Sequence, residues 1–241
     1  MLKKVMCFML LLLLLAACSE EPVIVKKDSP PENPDSNPAI VKKQTNVQDE
    51  AEKFVEFALP DEQIMINLEM VPILNVYLRT SKNREKAIRE MNLSRIEADS
   101  KELYLLEFSC HKKLCSYLLL DKSKKNQAYL VADMAKSMQI QLSPDNDKIM
   151  LHFNRKQTTP VPLSDIVVID LKNWVPLTLE NKSTDEQLLG FKWPLISSYW
   201  FDNNTIEVVK PAVPKPTKSN MDKWQQNSVP VTKIQFDIRT Q

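Results

Sequence analysis

The chain has 241 residues, of which 43% are hydrophobic and 26% are charged, and its formal net charge is +1. This length fits one ordinary globular domain with an added tail, or at most two small domains. Because the sequence is nearly neutral and has no long basic stripe, it offers no electrostatic basis for binding nucleic acid, and we expect no nucleic-acid partner.

A single glycine, Gly190, occurs in the whole sequence. Glycine lets the backbone approach a phosphate closely or adopt a positive φ without strain. Its scarcity therefore excludes the dinucleotide fingerprint, the P-loop, the nucleophile elbow and the EF-hand loop, which all require glycines. We expect no cofactor, and we expect asparagine, aspartate and proline to form the tight turns.

The amino terminus has the composition of an export signal. Lys3 and Lys4 precede an apolar run over residues 5–17 that ends in small residues. These 13 residues fall short of the roughly 20 that a membrane-spanning helix needs, so a cleaved leader over residues 1–17 is the better interpretation. Cleavage would also remove Cys7 and change the net charge from +1 to −1.

Residues 15–18, Leu-Ala-Ala-Cys, resemble the lipobox of bacterial lipoproteins. The resemblance implies that a lipoprotein signal peptidase cleaves before Cys18 and that its sulfur carries a thioether-linked diacylglyceryl group, often with an acylated amino group as well. It also implies a lipid-anchored protein whose partner is the cell membrane, at its extracytoplasmic face, or the outer membrane in a host with two membranes. The alternative is an ordinary signal peptide cleaved after Ala17, with Cys18 as an incidental thiol.

Residues 18–46 contain five prolines, many charges and little apolar content. Such a segment buries too little surface to offset the ordering of its backbone, so the composition predicts a semi-extended tether. At up to about 3.1 Å per residue, the tether could hold a domain several tens of ångströms from the bilayer. The hexapeptide PVIVKK at 22–27 recurs as PAIVKK at 38–43, which indicates a small duplication.

Residues 47–241 are predicted to form one β-rich globular domain. A helix is expected over residues 47–60, because the apolar residues at 51, 54, 55 and 58 share one helical face and Pro60 would end it. A second short helix is expected over residues 81–91, with Ser81 as its cap. Between them, apolar residues alternate at 64, 66, 68 and 70, which favours a strand and leaves a helix as the alternative.

From about residue 100 onward, short apolar or alternating runs separated by turn residues predict an antiparallel sheet system. The predicted fold class is therefore mainly β, an antiparallel meander of blade-like sheets with two or three short α-helices, and α+β is the alternative. The prolines of residues 210–218 predict a surface loop, because proline cannot donate to a strand ladder. A helix near residues 221–226 and a strand over 231–239 would complete the domain.

The stretch LSPDNDKIMLHF followed by DIVVIDLKNW resembles a blade of TolB-like or WD-type β-propellers, and SSYWFDNNTIEVV is similar to the next such turn. The resemblance covers roughly residues 129–209. A propeller needs typically four or more blades of about 40 residues, which is more than this domain offers. The resemblance therefore implies a blade-like antiparallel meander and no propeller function.

Cys110 and Cys115 lie at the edges of a polar connection between two apolar strands. Facing residues of an antiparallel pair lie within disulfide range, and an exported protein meets oxidising conditions, so we expect a disulfide that acts as a local staple. A redox site is the rival interpretation, because His111, Lys112 and Lys113 would favour a thiolate, although the spacing is not C-x-x-C.

The sequence gives less support to other kinds of functional site than to the cysteine pair. A metal at Cys110, His111 and Cys115 would lack a fourth ligand, and we expect no metal site. His152 is expected to face solvent or to contact a satisfying neighbour, and nothing in the sequence places a serine beside either histidine. Dispersed carboxylates could form a hydrolase site that sequence patterns do not reveal.

Aromatic residues concentrate in the carboxyl-terminal half and would fill the core or, if exposed, bind a glycan or a protein. They are Trp174, Phe191, Trp193, Tyr199, Trp200, Phe201 and Trp224. The expected role is a non-enzymatic binding or accessory module of the cell envelope, with an envelope protein or a glycan as candidate partner. The alternatives are an extracytoplasmic hydrolase and a thiol-disulfide protein that uses Cys110 and Cys115.

Overall fold

A computed structural model of the chain describes residues 22–27, 30–31, 33, 37–41, 53–99, 101–122, 127–155, 161–182, 187–226 and 230–239. The leader, Cys18 and residues 47–52 of the first predicted helix lie outside the described residues.

The described residues form fourteen strands and three short helices, so the fold is mainly β, as predicted. The strands are β1 Ile24–Lys27, β2 Ala39–Val41, β3 Phe54–Leu59, β4 Glu62–Asn67, β5 Asn92–Ile96, β6 Leu103–His111, β7 Leu114–Asp121, β8 Ala128–Leu142, β9 Lys148–Arg155, β10 Leu163–Asp170, β11 Val175–Asn181, β12 Ser197–Trp200, β13 Thr205–Pro211 and β14 Val231–Arg239. The helices are α1 Pro72–Thr80, α2 Arg84–Arg89 and α3 Lys218–Gln226. None of the helices in this part of the chain has the length and apolar character that crossing a membrane requires.

The strands form two antiparallel sheets. The small sheet has the order β1-β4-β3-β2, and the large sheet has the order β12-β13-β14-β11-β10-β9-β8-β7-β6-β5. Strands β5 to β11 follow one another as a meander, which agrees with the predicted topology. The last strand, β14, departs from the meander because it lies between β11 and β13.

The small sheet shows that the predicted tether is wrong over two of its stretches. Residues 24–27 form β1, which pairs with β4, and residues 39–41 form β2, which pairs with β3. The duplicated hexapeptide thus supplies both edge strands of the sheet. The prediction failed because average composition conceals Val23 and Ile24, which are 1% and 4% exposed and belong to the core.

The helix predicted over residues 47–60 is also wrong where the structure describes it. Residues 54–59 form β3, in which the side chains of Val55 and Phe57 are buried with the two-residue period of a strand. Leu59 faces Glu62 across a two-residue turn, so Pro60 closes a hairpin and does not end a helix. The apolar pattern fits both periods, and pairing with β4 decides the outcome.

The region between residues 62 and 91 agrees with the predictions in part. The expected strand is β4, but it ends at Asn67, and α1 follows as a helix that the sequence analysis missed. Pro72 occupies its first turn, a favourable helix-starting position. The second helix is present as α2, and its cap is Asn83, whose side chain accepts a 2.9 Å hydrogen bond from the Lys86 N–H, rather than Ser81.

Three apolar clusters form the core. The first joins the small sheet, α1 and α2 to one face of β6 and β7. The second lies on the opposite face of these two strands and includes Phe153 and Trp174. The third lies between β9–β10 and β13–β14 and includes Trp193. Trp174 and Trp193 are 7% and 3% exposed, so these two aromatic residues fill the core.

The carboxyl-terminal half follows the predicted strand pattern closely. Strand β14 matches its predicted segment, whereas helix α3 begins at Lys218, three residues before the predicted one. The predicted surface loop is wrong at its start, because β13 continues through Pro211 and pairs there with β14. Strand β11 is an additional strand in this half, as β5 is earlier in the chain. Strand β8 is longer than predicted because its first half pairs with β7 and its second half with β9. Near the point where the two halves meet, the Arg155 guanidinium donates hydrogen bonds to the carbonyls of Asp133 and Met134 at 2.6 and 2.9 Å.

The placement of β1 in the core yields a stability prediction. Ile24→Ala should lower the free energy of unfolding by about 2–5 kcal/mol, because it leaves a cavity among buried side chains. Ile196→Ala is the matched control, since Ile196 is 46% exposed, and its effect should stay within about 0.5 kcal/mol. Denaturant unfolding of both variants measures the difference. Equal, small effects would mean that residues 22–27 are not part of the core.

Candidate functional site

The connection between β6 and β7 is a tight hairpin that carries the predicted cysteine pair. His111 faces Leu114, so only Lys112 and Lys113 form the turn, and both have positive φ, 48° and 68°. Two left-handed residues in a two-residue turn suit the twist of the flanking strands. This hairpin therefore uses lysine where glycine or asparagine is the common choice.

A bulge in β6 sets the partners of the two cysteines. Phe108 faces Ser116, whereas His111 faces Leu114, so β6 contains one extra residue between these pairs. Ser109, with a φ of 53°, lies in this irregular segment. The shift brings Cys110 to a Cα–Cα distance of 4.1 Å from Cys115, and the predicted disulfide joins them.

An open groove of about 550 Å³ lies beside the disulfide. Its walls combine three lysines and two glutamates with the sulfur atoms and a tyrosine. The lining residues are Glu90, Glu107, Cys110, Lys112, Lys113, Cys115, Tyr117, Lys136 and Ser137.

Glu107 is the carboxylate closest to the disulfide in this groove. Its Oε1 atom lies 2.9 Å from the Cys115 Sγ and 3.5 Å from the Cys110 Sγ. Burial raises the pKa of the nearby Tyr117 hydroxyl, and the negative charge of Glu107 raises it further. The Ser137 N–H donates a 3.2 Å hydrogen bond to the same hydroxyl oxygen.

The residues that could hold a metal differ from the set considered from the sequence. Glu107, Cys110 and Cys115 bring their donor atoms within 4.8 Å of one another, and His111 is not part of this group. In the disulfide the two sulfurs are bonded to each other and present no thiolate, which is the form that ligates a metal. Sequence analysis missed Glu107 because the bulge that turns Cys110 toward it leaves no signature in the sequence.

The two cysteine residues differ in their exposure to solvent. Cys110 lies at the exposed end of β6, whereas Cys115 is 2% exposed. An external thiolate would therefore reach Cys110 first, and Cys115 would be the leaving group, next to the Glu107 carboxylate. Lysine side chains line the same groove and would favour a thiolate there.

His152 is buried and contacts a serine, so of the two placements considered from the sequence the structure shows contact with a neighbour and not exposure to solvent. It is 3% exposed in β9, and its Nδ1 atom lies 3.1 Å from the Oγ atom of Ser198 on β12. Among the described residues, no carboxylate is hydrogen-bonded to the imidazole. The pair thus lacks the acidic group that orients the histidine in a serine hydrolase, and burial separates it from substrate.

A polar cluster joins the small sheet to the large one. The Glu62 carboxylate is 2% exposed, lies 2.8 Å from the Lys26 Nζ and accepts a 3.1 Å hydrogen bond from the Tyr104 hydroxyl. Burial raises the pKa of Tyr104, and the charge of Glu62 adds to this effect. Glu102 lies 3.2 Å from Lys26 and 2.8 Å from Lys122, and these lysines lower its pKa.

Asp165 is a carboxyl group with an altered proton affinity. Burial raises its pKa, although its Oδ1 atom accepts hydrogen bonds from the N–H groups of Gly190 and Ile166 at 2.8 and 2.9 Å. Gly190 has a φ of 73°, so the single glycine of the chain occupies a position that favours glycine. The arrangement fixes the Gly190 loop to β10.

Comparison of the sequence with protein-family models gave no match. Comparison with curated proteins and with solved structures gave no match either.

The buried His152 predicts a dependence of stability on pH. Because burial lowers its pKa in the folded state, the unfolded chain binds the proton more readily, and the folded state loses stability as pH falls below about 6.5. This loss is at most about 1.4 kcal/mol per pH unit. His152→Gln should flatten the dependence between about pH 7 and 5, while the exposed-residue control His111→Gln retains it. Denaturant unfolding at several pH values tests this, and parallel curves for all three proteins would contradict it.

Proposed function

We propose that this protein is a bacterial lipoprotein that is exported by its leader and anchored by a lipid on Cys18. The anchor places it at the extracytoplasmic face of the cell membrane, or on the outer membrane of a host with two membranes. The observation that carries the proposal is the segment Leu-Ala-Ala-Cys at residues 15–18, directly after an apolar run and before acidic residues.

The disulfide supports a location outside the cytoplasm. Structural disulfides persist in oxidising compartments and are rare where cellular thiols keep cysteines reduced. Cys110 and Cys115 are bonded in a hairpin that a bulge has shaped to fit them. A lipoprotein on the outer side of a membrane would encounter those conditions.

Within the envelope, we assign the protein a non-enzymatic role as a binding or accessory module, with an envelope protein or a glycan as its partner. The arrangement of its buried polar groups supports this assignment. Glu62 is matched by Lys26 and Tyr104, and His152 and Ser198 are enclosed in the core. Such groups join elements of the fold and are poorly placed to reach a substrate. The hydrolase alternative is less favoured for this reason.

A thiol-disulfide function is the second candidate, and one observation favours it. Cys110 is exposed in a groove that also contains Glu107 and three lysines. Exchange would begin when an external thiolate attacks the Cys110 sulfur, forming a mixed disulfide and releasing the Cys115 thiolate.

The anchoring proposal predicts the fate of a Cys18→Ala variant. The variant should leave the membrane fraction or accumulate as an unprocessed precursor, because it has no sulfur to carry the diacylglyceryl group. Cys7→Ala is the matched control, since Cys7 belongs to the leader, and this variant should mature normally. Fractionation combined with mass spectrometry of the mature terminus is the measurement. Normal processing and membrane retention of Cys18→Ala would refute lipid anchoring.

Two measurements distinguish a structural disulfide from a redox-active one: reduction of the bond by mild thiols and the contribution of the bond to stability. If the bond is a staple, mild thiols should leave it intact in the folded protein, and the double variant Cys110→Ser with Cys115→Ser should lose about 2 kcal/mol of unfolding free energy. Thiol titration and denaturant unfolding provide these readouts. Rapid reduction of the folded protein with no loss of stability in the double variant would favour the redox function instead.

A further inference from the structure

The core of the domain begins a few residues after the proposed anchor. Only residues 19–22 separate Cys18 from Val23, which is 1% exposed and belongs to the first core cluster. Five backbone steps of at most about 3.6 Å each can span no more than about 18 Å. A domain attached in this way would lie next to the bilayer, with the part of the body around Val23 nearest to the anchor.

Helix α1 begins at this same end of the body. The Val23 carbonyl accepts a 2.8 Å hydrogen bond from the Asn67 N–H, where β4 ends. The chain then turns through residues 68–70 and enters α1 at Pro72. Leu68, Val71 and Leu74 belong to the same core cluster as Val23, so the start of α1 and the described residues nearest the anchor contribute to one part of the core.

The outer face of α1 is apolar, but its side chains do not pack in the core. Its inner face buries Leu74 and Leu78, whereas Ile73 and Val76 are 41% and 60% exposed. These two residues are three positions apart, so their side chains are neighbours on one helical face. Pro72 beside them is exposed as well, and Arg79 is exposed in the last turn.

We propose that the outer face of α1, formed by Pro72, Ile73 and Val76, docks on the lipid bilayer that holds the Cys18 anchor. This inference rests on the proposed lipid anchoring. The apolar face is small, but the anchor makes its contact with lipid intramolecular, and a high effective concentration lets a weak contact be populated. Apolar side chains would enter the interface while Arg79 remains at the level of the headgroups.

The test uses the full lipidated protein in vesicles of phosphatidylethanolamine and phosphatidylglycerol. An environment-sensitive fluorophore is attached to Val76→Cys or to the control Val175→Cys. Val175 is 44% exposed and lies on β11, which contributes no residue to the cluster around Val23. With Cys18 lipidated and Cys110 bonded to Cys115, the introduced cysteine is the labelled thiol.

On vesicles, the fluorescence emission of the probe at position 76 should shift to shorter wavelength. Spin-labelled lipids should quench this emission several-fold more than that of the probe at position 175. Unfolding curves of both variants should match that of the parent, because both positions are on the surface. Equal quenching of both probes by iodide, which stays in the aqueous phase, would overturn the docking inference. Shielding at position 76 without vesicles, together with a doubled mass, would also overturn it and assign the face to a second copy of the chain.

Mass spectrometry of the same samples separates the two proposals. If Cys18 carries lipid and the probe at position 76 still has the emission of a probe in water, the docking inference is wrong while the lipoprotein assignment stands. If Cys18 carries no lipid, the lipoprotein assignment fails, and the docking inference fails with it.

Discussion

Burial of both faces of the β6–β7 hairpin is the constraint on which the rest of the structure depends. Along β6, Tyr104 and Leu106 face the small sheet, while Leu103 and Leu105 face the strands that follow. A central pair of strands therefore supplies one wall to each of two core clusters. The continuous apolar runs at 103–106 and 117–120 reflect this, because strands buried on both sides need no polar alternation. The disulfide closes the exposed end of this pair and limits its opening.

The sequence predicts an element correctly where the local pattern of apolar and turn residues is enough to define it. The runs that became β6, β7, β9, β10 and β14 are apolar or alternating and are bounded by turn residues, so their periodicity was sufficient. Residues 24–27 and 39–41 lie among prolines and charges, and they become strands only because the β3–β4 hairpin offers two edges. Residues 54–59 fit a helical and a strand period equally well. Long-range pairing determined both outcomes, and a local pattern does not contain it.

The candidate site shows the same division. The Cys110–Cys115 bond follows from two cysteines placed across a short connection, which a sequence displays directly. Glu107 reaches the sulfurs because a bulge adds one residue to β6, and this residue count is visible only in the paired strands. Ser198 lies 46 residues from His152 in the chain, and no spacing rule relates β9 to β12. Contacts within a hairpin could be predicted, whereas contacts that depend on sheet order could not.

The position of β1 has a mechanical consequence. If Cys18 carries the anchor, a pull between membrane and protein is transmitted through a few residues to an edge strand held on one side only, by its ladder with β4. That ladder contains four residue pairs, so it forms a weak point compared with the longer ladders of the large sheet. Tension would detach β1 first and expose Val23 and Ile24, which belong to the core cluster on one face of the β6–β7 pair. Strand β1 would therefore be the element that separates from the domain when the lipid anchor is pulled.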